Sequence, residues 1–241
     1  MIMSRSVALA AALVGAVALS ACSGSNGNAG SGGGAAGGGG GGGSGGGGGN
    51  PPPAQDFDQA FNAAIGLGPS TDVLTGTARH TGRMNLITTD PGGQTGEIAA
   101  DLNLTVDFDA ASDPMSGTAT NFAGTVNGNP VTLSGDLSTA AAAAASGNAL
   151  NDITTSPLPA IAGSGELTGM SLELRGTLTE DDSGVANDVL STLQGNFYGS
   201  DGAAIAGSVG SLVEPRSGTS ILTGTGARQA GFGGRFYTDR N

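Results

Sequence analysis

Apolar and polar side chains alternate with a period of two through much of the chain beyond residue 96. The longest run is 97–109. Ile98, Ala100, Leu102, Leu104, Val106 and Phe108 share one face there, and Ala99, Asp101, Asn103, Thr105, Asp107 and Asp109 the other. A period of two held that long predicts a half-buried β-strand. Residues 131–137 repeat it. So do 166–180, with Met170, Leu172, Leu174, Gly176 and Leu178 inward and Glu173, Arg175, Thr177 and Thr179 outward. Val189, Ser191, Leu193, Gly195 and Phe197 form a weaker face of the same kind.

Turn chemistry separates these runs: Asp90-Pro91-Gly92-Gly93, Asp113-Pro114 and Asn127-Gly128-Asn129-Pro130. The Asn127-Gly128 pair, between 115–126 and 131–138, predicts a hairpin. Two helical pieces are expected. Residues 56–67 place Phe57, Phe61, Ala64 and Ile65 on one helical face. The alanines at 140–145 have high helix propensity but no stripe, and predict a helix within a loop.

Eight to ten short strands in up-and-down order, each with one apolar face, predict an all-β protein. The simplest closed form is a single soluble antiparallel β-barrel of about eight strands, since closure removes exposed edges. Eight strands enclose a space that side chains can fill or that admits one small ligand. A membrane-spanning barrel would carry an apolar outer band and a polar interior. The outward positions here are Asp, Asn, Thr and Glu.

The first 53 residues follow other rules. Arg5 precedes an apolar run from Val7 to Leu19, the layout of a secretory signal and too short to span a bilayer. The run ends in Leu19-Ser20-Ala21-Cys22, which resembles the lipobox of bacterial lipoproteins. That resemblance implies cleavage before Cys22, lipidation of its thiol, acylation (palmitate or a similar chain) of the new N-terminus, and firm membrane attachment through several chains. Ser23, where an inner-membrane lipoprotein of enteric bacteria has Asp, points to the outer membrane. Cys22 is the one Cys in the chain, so no intramolecular disulfide is available. From Ser23 to Pro53 the chain is Gly, Ser, Asn and Ala closed by three prolines. Such a segment cannot bury enough apolar surface to offset its ordering entropy, and a Gly-rich coil of that length spans roughly 30 Å. The expected organisation is a signal peptide at 1–21, a lipidated Cys and flexible linker at 22–53, and one barrel domain at 54–241.

Charge narrows the partners. The formal net charge is −12, and removing Arg5 with the signal makes it −13. An acidic chain with scattered arginines lacks the basic footprint that nucleic acid requires. It also lacks the charge for direct adhesion to anionic lipid heads. No Lys occurs, which excludes a phosphate-binding P-loop in the Gly-rich segment.

Little in the sequence suggests catalysis. His80 is the single His, expected at the surface near a strand end, and any Ser/His/Asp set would have to use it. No Gly-x-Ser-x-Gly elbow occurs. Zinc sites need several Cys or His. Asp107, Asp109 and Asp113 lack the spacing and central Gly of a calcium loop. Glu180-Asp181-Asp182 is expected to be a loop. No cofactor and no metal are expected.

The stretch 193–210, LQGNFYGSDGAAIAGSVG, resembles the barrel signature of transferrin-binding protein B and its smaller relatives. Gly195, Phe197, Tyr198, Gly199, Ala203, Gly207 and Ser208 match its Gly-x-Phe-Tyr-Gly strand end, short turn and returning Gly/Ser strand. Leu104–Phe108, Ser116–Phe122 and Gly224–Arg228 extend the resemblance. The returning strand lacks the usual Glu-x-Gly-Gly start, the tail lacks an expected Phe, and Gly231–Arg235 offers a second version of that tail. The resemblance implies that Phe197 and Tyr198 seal a barrel end, and that Gly199–Gly202 turns the chain. It also implies a monomeric, lipid-anchored, non-catalytic lipoprotein facing the cell surface, whose loops bind a solute or a partner protein in the service of iron or haem acquisition. The alternatives are a structural or shielding surface lipoprotein without a specific ligand and, more remotely, an envelope hydrolase.

Overall fold

The computed structural model describes residues 54–88, 95–157, 166–224 and 227–241, all within one unit, Gly48–Asn241. In chain order these residues form α1 (Ala54–Gly66), β1 (Thr77–Thr88), β2 (Gly96–Asp107), β3 (Met115–Val126), β4 (Asn129–Ser134), β5 (Leu137–Ser138), α2 (Thr139–Ser146), β6 (Asn151–Pro157), β7 (Glu166–Glu180), β8 (Ala186–Tyr198), β9 (Ala204–Pro215) and β10 (Ala230–Arg240).

Every pairing is antiparallel, and β10 returns to β1, with Met84 opposite Phe236, so the sheet closes into a ring. Ten strands occupy eight positions because β4, β5 and β6 lie end to end along β7. The structure is therefore the expected all-β, up-and-down barrel. It also settles which Gly-Phe stretch closes the ring. Gly231–Arg235 lies in β10, whereas Gly224 and Arg228 precede that strand. Thr225, Gly226 and the turn at Asp90-Pro91-Gly92-Gly93 lie outside the described residues.

Alternation produces this ring directly. On β2, Ile98, Ala100, Leu102, Leu104 and Val106 are buried, and on β7 Met170, Leu172, Leu174 and Leu178 are. They meet Met84, Leu193, Val209 and Phe236 in one continuous core. The apolar side is thus inside, the reverse of a membrane-spanning barrel. Asn127 and Gly128 turn the chain with φ 51° and 77°, as the tight hairpin between β3 and β4 requires.

Three local readings change. β2 ends at Asp107, and Phe108 turns over the barrel end instead of extending the strand. Residues 131–137 break at Gly135-Asp136. Gly135 takes φ 113° where a Cβ would come 2.4 Å from the Thr177 carbonyl oxygen, so β4 and β5 are separate. The outer wall is not wholly polar, because α1 covers an apolar part of it. Phe57 meets Tyr237 edge-on at 5.3 Å, and Ala64 packs with Ala204 and Ala206. The Arg235 guanidinium lies over the Phe57 and Phe61 rings and pairs with Asp58 at 2.5 Å. Ile65 is 37% exposed, being one residue, or about 100°, around the helix from Ala64. α2 forms as expected within the β5–β6 connection. The Ser138 hydroxyl accepts the Ala141 N–H at 3.1 Å, and Gly147 ends the helix at φ 63°.

Candidate functional site

The matched motif residues occupy the end of the barrel where β8 passes into β9. Gly195 and Gly207 face each other across these strands, both inward; the Phe236 ring lies against Gly195, and the Gln194 backbone lies against Gly207. A Cβ on Gly195 would lie 2.8 Å from the tip of that ring. Gly199 (φ 72°), Asp201 (φ 55°) and Gly202 (φ 65°) turn the chain sharply, as expected. The aromatic pair does not act together. Phe197 is fully buried inside, edge-on to Phe108 at 5.2 Å, whereas Tyr198 points outward and packs with α1. Neighbours on a strand point to opposite faces, so only Phe197 seals the end.

His80 is not at the surface. It lies on the inward parity of β1 with Ala78, Met84 and Leu86, is 1% exposed, and meets Phe197 edge-on at 6.2 Å. Among the described residues neither ring nitrogen has a hydrogen-bond partner. Burial, with the nearby Arg240 charge, pushes its pKa down to about 4. Among the described residues no Ser, Thr or Asp side chain is hydrogen-bonded to it. The parity of β1 carried this signal, and the position near a strand end obscured it.

Glu180 is not in a loop. It is the last inward residue of β7, 3% exposed. Its carboxylate accepts from Ser220 Oγ (2.5 Å), Ile221 N (3.0 Å), Asn187 Nδ2 (3.3 Å) and Ser183 Oγ (2.5 Å). These bonds draw the chain after β9 back into the barrel mouth, where Leu222 is 1% exposed. Counting by twos from Met170 reaches Glu180, but two following aspartates made the stretch look like a turn. Asp181 does lie in that turn, and the Ser134 hydroxyl holds its carboxyl below the usual range.

Apolar side chains from all around the ring pack the interior. A void of about 10 Å³ lies between Phe122, Leu178, Val189 and Leu222. No metal-holding group of His, Cys, Asp and Glu occurs among the described residues. Asp109 accepts the Gly76 N–H at 2.9 Å, and Asp107 accepts from Asp109 N, so both serve the turn after β2.

Open space lies outside the ring at one rim. A hollow of about 690 Å³ is lined by Asp113, Leu150, Asn151, Glu173 and the start of α2. A cleft of about 520 Å³ lies between Leu74, Phe108, Asp201 and Arg240. Cys22 lies outside the described residues. No helix among the described residues is long and apolar enough to cross a membrane. No protein-family model and no curated protein matches the chain.

Proposed function

We propose that the chain is a lipid-anchored, non-catalytic binding lipoprotein of the outer membrane, held by Cys22 and displaying its barrel on the 23–53 linker. The barrel contributes rigidity, and the rim binds a solute or a partner protein. One observation supports this reading above others. The void between Phe122, Leu178, Val189 and Leu222 in the core holds about 10 Å³, while the rim carries hollows of about 690 and 520 Å³. A filled core leaves recognition to surface hollows and loops, the usual place for it on a rigid scaffold. The resemblance to the transferrin-binding protein B barrel points the same way, toward iron or haem acquisition.

The anchor is tested by fractionation. Cys22→Ser is expected to move the protein from the membrane fraction to the soluble fraction, and retention in the membrane would overturn the anchor. Protease added to intact cells distinguishes a surface-exposed barrel from a periplasmic one. The wild-type chain and its rim variants, tested against defined iron carriers and haem, report on the ligand.

A further inference from the structure

β6 keeps one edge without a strand partner among the described residues, in a fold whose ring closure pairs most strands on both sides. Its one strand partner among the described residues is β7, from Asn151 opposite Leu172 to Pro157 opposite Glu166. On the other side β3 begins only at Met115, and the Asn151 side chain makes the join. Its Oδ1 accepts the Met115 N–H at 3.0 Å, and its Nδ2 donates to the Met115 carbonyl at 2.7 Å. The amide thus imitates one strand residue and ends the ladder. Past it, the far edge of 152–157 has no strand partner among the described residues.

Exposed edges are ordinarily blunted by Lys, Pro, bulges or inward charges. Here Asp152 stands at the start and Pro157 at the end, and Ile153 to Ser156 carry none of these devices. Such an edge can take up an extended peptide, with main-chain hydrogen bonds supplying affinity and alternate side chains supplying specificity.

The surroundings indicate the peptide's chemistry. Asp113, Asp152 and Glu166 have no ion pair among the described residues. Asp113 shares the 690 Å³ hollow with Leu150 and Asn151, where β6 begins. Leu150 and Leu167, opposite Ser156, are exposed at 38% and 36%. We infer that the β6 edge docks an extended segment of a partner protein in which Lys or Arg alternates with apolar residues. A second copy of this chain fits poorly, because it would bring the same unpaired carboxylates and another net charge of −12 to the contact. The inference rests on the binding role proposed above and names the surface that performs it.

The test uses the full chain and a labelled eight-residue peptide of alternating Arg and Val. Two further peptides carry N-methyl groups on the Val or on the Arg positions, which preserves charge and removes main-chain donors on one edge. The unmodified peptide is expected to bind and to slow amide exchange at 152–157. One methylated peptide is expected to lose affinity by about tenfold or more, and the other to change little. The double variant Asp113→Asn/Asp152→Asn is expected to weaken binding and steepen its loss less with salt. No binding, equal binding by both methylated peptides, or protection confined to other segments would each overturn the edge. Self-association of the chain that protects 152–157 would overturn the choice of partner. If the edge fails while the chain still captures a ligand elsewhere on the rim, the binding role stands. If the chain captures none, both readings fall.

Discussion

The two ends of the barrel each bury one ionisable side chain, and they treat it in opposite ways. At one end Glu180 receives four hydrogen bonds, two of them from a segment that returns after β9. At the other end His80 lies edge-on to Phe197, which itself meets Phe108, and neither His80 nitrogen is partnered among the described residues. A buried charge needs donors or acceptors to offset its desolvation. Glu180 has them and serves to hold a plug. His80 lacks them and stays neutral instead, its pKa pushed down to about 4. The first end is organised by polar bonding, the second by aromatic packing.

The contrast predicts a graded set of responses. The largest concerns Glu180. Glu180→Ala removes the carboxylate that accepts from the Ser183 and Ser220 hydroxyls and the Ile221 N–H, while the Asn187 amide keeps the Leu178 and Val185 carbonyls, and is expected to cost about 4 kcal/mol. Urea unfolding measures the loss, and faster amide exchange at 216–224 would locate it. A cost below about 1 kcal/mol would break the claim that this end depends on polar bonding.

His80 comes next. The unfolded chain takes up a proton near the ordinary His value of 6.5, while the folded chain resists until about 4. The His80 contribution is therefore fully present above pH 6.5 and is lost as pH falls through that window toward 4. The total is about 3 kcal/mol. Urea midpoints at pH 7 and pH 4.5 should separate more for the wild type than for His80→Leu. Equal separations would show that the aromatic end does not exclude the proton.

The smallest effect sharpens the same point. Thr238 is fully buried on β10, and its Oγ1 has no partner among the described residues. Thr238→Val removes that oxygen at constant shape. It is expected to stay within about 1 kcal/mol of wild type, on the stabilising side, as read from thermal unfolding. A large loss would reveal a polar role at the end assigned to packing.

Much of the barrel was legible along the chain because its core residues recur every second position. The runs through Leu102, Leu172 and Leu193 needed only local parity to place them inside. The Asn127-Gly128 turn was legible because two left-handed residues in succession suit few other sequences. The motif glycines were legible as close approaches, although the ring that Gly195 accommodates, Phe236, comes from a strand near the far end of the chain. His80 and Glu180 were misplaced for a common reason. Polar residues on an inward parity look like exceptions until the neighbours that enclose them are known.

Alternation and turn residues are properties of short segments, and the amino-acid order alone determined them. Closure of the ring, the three-piece stave of β4, β5 and β6, the helix on the outer wall and the plug held by Glu180 depend on residues far apart in sequence. Those contacts exist only once strand register has aligned the segments, and no periodicity within one segment encodes which neighbour it will meet.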